Sequence, residues 1–170
     1  MFSLLSQRIM KKTKTNIKKP KLTLNLIPKS SWFKSVRSHI TQTQWNKIRK
    51  EVYRKANYTC QICGINEENF LGCKKGWLHA NELWKFKDGV QSLVGLEAIC
   101  RTCHLVKHFG YAEISGRRNQ ALNHLMKVNK WDVGTTNEYL KQQFEEWEER
   151  SEIKWIIDYS FINGFCKIVV

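Results

Sequence analysis

Acidic residues are almost missing from the first third of the chain: between Met1 and Thr59 only Glu51 opposes 15 Lys or Arg, a local balance of +14. From Cys60 onward 14 bases meet 14 acids, so the whole net charge sits at the N-terminal end. Such a segment has nothing to hold a basic partner and suits a polyanion, bound through phosphate contacts and counterion release. A solvated basic tail is the plainer alternative. Also missing is any run near the roughly 18 uninterrupted apolar residues of a membrane-spanning helix. That excludes the membrane class and points to a soluble, intracellular protein, cytoplasmic in a bacterial or phage setting. The apolar run from Phe2 to Leu5 is too short for a secretory signal, and the opening is rich in Lys rather than Arg, which argues against an organelle transit peptide. No internal repeat and no Gly-rich phosphate loop occur, and the two prolines, Pro20 and Pro28, fall within the first 30 residues. Without a secretory signal, six cysteines point to metal or thiol chemistry rather than to a disulfide framework.

What is present fits one domain of 170 residues, 42% hydrophobic. Residues 1–30 read as a basic, flexible arm and 31–170 as the domain, with a metal-stapled core at about 57–112 and a helical part at 117–170. In TQTQWNKIRKEVYRKA, Trp45, Ile48, Val52 and Tyr53 fall at helical spacing, and Thr41 or Thr43 can cap the start. The opposite face carries Lys47, Arg49, Lys50, Arg54 and Lys55, a candidate contact for a phosphate backbone. GWLHANELWKF alternates with period two, which predicts a strand. Asp88-Gly89 predicts a turn back into a second extended segment, VQSLVGLEAIC. A short helix is expected from about His104, and longer ones at NQALNHLMKVN and TNEYLKQQFEEWEERSE. The segment KWIIDYSFINGF, with Trp155, Ile157, Tyr159 and Phe161 in alternation, reads as a strand or extended packing segment. The fold class is therefore α+β.

Cys60-x-x-Cys63 and Cys100-x-x-Cys103 carry the strongest signal. Two residues between paired thiolates let each turn supply two corners of a tetrahedron, and two such turns complete a structural zinc site. Cys73 and Cys166 lack such partners and read as buried or idle thiols. Four cysteines leave His104 and His108 free, four residues apart and hence on one helical face, where they can share a second cation or a phosphate. A site using Cys100, Cys103 and His104 would strand Cys60 and Cys63. His39 and His124 read as ordinary satisfied residues.

A hairpin followed by a helix, stapled by zinc, with His79 on the strand facing His104 and His108, resembles the ββα-metal or HNH nuclease fold in its zinc-stapled, treble-clef-type form. CQIC, LHANELW, LVGLEAICRTCH and LVKHFG carry the resemblance. It extends, as a likeness to small bacterial and phage HNH endonuclease proteins, over about residues 30–162. The resemblance implies a metal-dependent nuclease or nickase acting on nucleic acid, double-stranded DNA foremost, that leaves 5′-phosphate and 3′-hydroxyl ends. It further implies His79 as general base, Asn81 and Glu82 in support, and His104 and His108 as ligands of Mg²⁺ or Mn²⁺, with Zn²⁺ or Ni²⁺ as alternatives. One such unit nicks and double-strand cleavage needs two, so a monomer or weak homodimer is expected. The chain departs from the pattern at two positions. Asn81 stands where a strand His is usual, and Gly95 stands where the middle Asn would be. An Asn can coordinate a metal but is no base near neutral pH, so a zinc module that binds nucleic acid without cutting it is the second expectation.

Overall fold

Asp88 and Gly89 adopt φ of 49° and 76°, the left-handed pair that a tight hairpin turn requires. The turn folds β1 (Leu78–Lys87) against β2 (Val90–Cys100) as an antiparallel pair in which Leu78 meets Cys100 and Asn81 meets Glu97. The register slips between Leu83 and Trp84, whose partners are Gly95 and Leu93, so Val94 bulges out. Gly95 has a local reason to lack a side chain, since a Cβ there would lie 3.3 Å from Leu83 Cδ1. A third strand, β3 (Ile156–Asp158), adds in parallel to Val90–Ser92 and completes a three-stranded sheet.

The computed structural model describes residues 19–66 and 76–165. Residues 1–18, Cys73 and Cys166 lie outside that range. The helices are α1 (Gln42–Lys55), α2 (Arg101–Lys107), α3 (Phe109–Ile114), α4 (Arg118–Asn129) and α5 (Val133–Ser151). Thr41 starts α1 with a capping box. Its hydroxyl accepts the Gln44 N–H while the Gln44 side chain accepts the Thr41 N–H. Trp45, Ile48 and Val52 form the buried stripe, as the spacing predicts. Asp132 caps α5, accepting the N–H of Thr135 at 2.7 Å. The chain is thus mixed α and β, and no helix among the described residues is long and apolar enough to cross a membrane.

Three sequence expectations are corrected. The short helix begins at Arg101, three residues before His104, because Cys100 caps it. At the C-terminal end the alternation stops at Tyr159. A 3₁₀ turn over Ser160–Gly164 buries Ile162 completely and leaves Phe161 at the surface. The largest difference is at the N-terminal end, where residues 22–27, expected within the flexible arm, pack against the domain. Leu22, Leu24 and Leu26 alternate into the core, at 0, 7 and 8% exposure. Asn129 Oδ1 accepts the Leu22 N–H, Tyr139 accepts the Leu24 N–H, the Lys107 carbonyl accepts the Asn25 N–H and the Trp147 indole donates to the Ile27 carbonyl. This extended strap ties α2, α4 and α5 together. Truncating Leu22 to Ala is expected to cost about 2–5 kcal/mol, read as a lower urea midpoint at unchanged slope.

Candidate functional site

The two Cys-x-x-Cys turns are built alike. Cys60 Sγ accepts the N–H of Cys63 at 3.5 Å, and Cys100 Sγ accepts the N–H of Cys103 at 3.4 Å. Gly64, at φ 78°, turns the chain after the first pair. Gln61 fastens the knuckle to β2, its N–H donating to the Ala98 carbonyl and its Oε1 accepting the Ala98 N–H. The four sulfurs consequently lie within 4.8 Å of one another. Cys63 and Cys100 sulfurs are 3.7 Å apart. Zinc–thiolate bonds of about 2.3 Å in a tetrahedron require a sulfur–sulfur edge of about 3.8 Å. The cluster therefore fits a structural zinc ion. Hydrogen bonds from Cys100 hold the Cys63 thiol well below the usual range, and Cys100 with the other thiols pushes Cys103 above it. Four such groups do not ionise together without a cation to compensate them.

His124, read from the sequence as an ordinary residue, belongs to this centre. Its Nε2 lies 3.1 Å from Cys103 Sγ. Against a thiolate the ring N–H is the donor, an arrangement that orients a ligand and spreads its charge. Replacing His124 by Ala is expected to weaken zinc retention about 10–100-fold, measured by competition with a chromophoric chelator. Gln, which keeps an N–H, should restore part of the loss.

His104 and His108, which follow the second Cys-x-x-Cys turn, make their ring contacts with each other and with His79. The rings of His79 and His104 stack with centroids 4.5 Å apart, and those of His104 and His108 meet edge to face at 4.5 Å. His108 caps the end of α2 at φ −97°, ψ 51°, so the pair is not on one regular turn, yet the two Nε2 atoms are 3.1 Å apart. Burial, with charge on His108 and His79, pushes His104 down to about 3. Burial, with Arg101 and Arg49, lowers His79, and burial with His79 and Lys107 lowers His108. All three are therefore neutral near pH 7 and free to offer lone pairs. His79 Nε2 is buried without a partner among the described residues. The histidines do not close into a cage of three ligands as the cysteines do. Two neighbouring imidazoles would leave a cation's remaining positions to water and phosphate.

Asn81 is 2% exposed and shares the strand face of His79. Its Nδ2 donates to Glu97 Oε1 at 3.0 Å, and Glu97 in turn meets the buried ammonium of Lys107 at 3.4 Å, which donates to Thr23 at 3.0 Å. Glu82 does not join the histidines. Its two oxygens accept the Val36 N–H and the Trp84 indole N–H, and burial raises its pKa. It braces the segment before α1.

A cleft of about 520 Å³ opens beside the histidines, with Arg37, Arg49, His79, Asn81, His104 and His108 in its walls. A second, of about 480 Å³, reaches the same imidazoles from the far side between Arg101 and Arg117. Of the five basic residues expected on α1, Arg49 alone lines the first cleft. Arg54 and Lys55 pair with Glu51 at 2.7 and 3.8 Å, and Lys47 and Lys50 are solvated. Arg37, Arg101 and Arg117 carry no local sequence signal, because it is the packing of the chain that brings them to the imidazoles. No protein-family model, curated protein or solved structure matches this chain.

Proposed function

We propose that this protein is a metal-dependent endonuclease or nickase of HNH type that hydrolyses phosphodiester bonds in nucleic acid, DNA foremost. One observation carries the reading: a strand histidine and two helix histidines in ring contact, all neutral, at the meeting of two arginine-lined clefts. A backbone laid across the site would place its phosphates against Arg37 and Arg49 on one side and Arg101 and Arg117 on the other. His104 and His108 are the residues to hold a divalent cation, which when bound supplies Lewis-acid stabilisation of the phosphate and of the departing 3′ oxygen. His79 takes the proton from the attacking water. Asn81, its Nδ2 committed to Glu97, keeps its carbonyl oxygen for orienting that water. A zinc ion in the four-cysteine centre would anchor β2 and α2; α2 carries His104 and leads into His108, and β2 pairs with β1, which carries His79 and Asn81.

The test is nicking of supercoiled plasmid with Mg²⁺ or Mn²⁺. His108→Ala should abolish it while the zinc stays bound, and undiminished nicking in that variant sinks the assignment. A second reading, a zinc-centred module that binds nucleic acid and does not cut, is favoured by Asn81 at the position of the usual strand base. In that case no metal supports cleavage, while DNA affinity falls steeply with salt.

A further inference from the structure

A second groove continues from the histidine cleft and does something the hydrolysis does not require. It has a volume of about 450 Å³ and runs beneath the strap toward α3 and α5, sharing Trp84 and His108 with the cleft. Its rim offers two largely exposed rings from different elements, Trp32 at 59% and Tyr111 at 54%. The Trp84 indole N–H is already committed to Glu82, so the ring contributes its apolar surface. One polar group in the lining is unsatisfied. Gln91 is fully buried, its Oε1 accepts the Ser31 hydroxyl at 2.6 Å, and its Nε2 has no partner among the described residues. A buried amide nitrogen that finds no acceptor is destabilising on its own, and an acceptor brought by a ligand relieves it.

We infer that this groove is a subsite for one unpaired nucleobase of the bound nucleic acid, stacked against Trp32 or Tyr111 and offering an edge carbonyl to Gln91. This rests on the nuclease reading above. Nucleobases fit the wall chemistry better than other occupants. Lipid tails fill an apolar groove but bring no acceptor for the amide, and an aliphatic peptide segment brings backbone carbonyls but no flat face for the exposed rings, whereas every base has a flat face, and thymine adds carbonyl acceptors. Position argues the same way, since a nucleotide with its phosphate beside His108 has its base one sugar distant, at the mouth of the groove.

The test uses full-length protein without added Mg²⁺ or Mn²⁺ and two labelled single-stranded probes of about eight nucleotides. One is oligothymidylate. The other has the same phosphate backbone with tetrahydrofuran in place of every base. Fluorescence anisotropy should show oligothymidylate bound about tenfold more tightly, the effect of one stacked base. Gln91→Met and Trp32→Ala should each shrink that preference. Because Gln91 is buried its variant can misfold, whereas the ring of Trp32 is mostly in solvent. Tyr58→Ala, half-exposed and outside the groove, should leave the preference intact. Equal affinity for the two probes overturns the subsite, as does a preference that survives both groove variants. In either case the nicking assay judges the nuclease reading separately. Failure to bind either probe also overturns the subsite, and a groove-dependent base preference in a protein that nicks nothing keeps the subsite while removing the nuclease.

Discussion

Stripping the metal from the four-cysteine centre is expected to abolish the cooperative thermal transition, and one equivalent of zinc should restore it. α2 has seven residues, too few to persist as an isolated helix in water. Its first turn is capped by Cys100 Sγ, an atom that also belongs to the sulfur cluster. The knuckle at residues 60–66 is joined to the sheet by Gln61 and a few backbone bonds. Structural zinc contributes about 10–16 kcal/mol of apparent binding free energy in small metal-folded peptides. That exceeds the roughly 5–15 kcal/mol by which a typical domain is stable. Circular dichroism melts before and after dialysis against a strong chelator read the effect, and elemental analysis gives the stoichiometry. An unchanged melt, or purified protein with no zinc, removes the structural basis of the site.

Asn81→His decides which strand position holds the base: with the base's place at residue 81 the variant is expected to raise plasmid nicking by about 10²–10⁴-fold, the ordinary contribution of a placed general base, and with His79 as base it leaves nicking unchanged. The surroundings are ready for it. Asn81 Nδ2 donates to Glu97 Oε1, and an imidazole in the same place would put a ring N–H on that carboxylate, leaving the other nitrogen for water. Lys107 meets Glu97 at 3.4 Å and holds it in position. The gain should therefore collapse when Glu97→Gln is added to Asn81→His. A folded, zinc-loaded Asn81→His protein with no gain would show that His79 already fills the role or that the site does not cut.

Features set by short-range patterns were legible in the sequence. Asp88-Gly89 specified the hairpin, Thr41 or Thr43 the start of α1, of which the structure uses Thr41, and the two Cys-x-x-Cys turns the four clustered sulfurs. Period two placed His79 and Asn81 on one face, where the structure has them. The rest depends on contacts between distant segments. Leu22, Leu24 and Leu26 alternate as a strand would, but they lie among lysines, and composition masked the period. His124 is 21 residues from Cys103 and meets it because α4 packs on α2. Glu97 and Lys107 carry no local sequence signal; Lys107 is buried where the strap bonds to it through Thr23 and Asn25, and it meets Glu97 there. Phe161 continued an alternation that the 3₁₀ turn cancels.

The strap also sets an order of events during synthesis. Leu22 and Ile27 bond to Asn129 and Trp147, residues separated from them by 107 and 120 positions. The strap must wait for partners made more than 100 residues later, at a pace of about 5–20 residues per second. Asn25 and Ile27 line the histidine cleft. A nascent chain can thus gather its cysteines and form its hairpin long before that cleft has its last wall. That cleft stays open along the strap's side until translation has passed α5, a delay of several seconds set by topology.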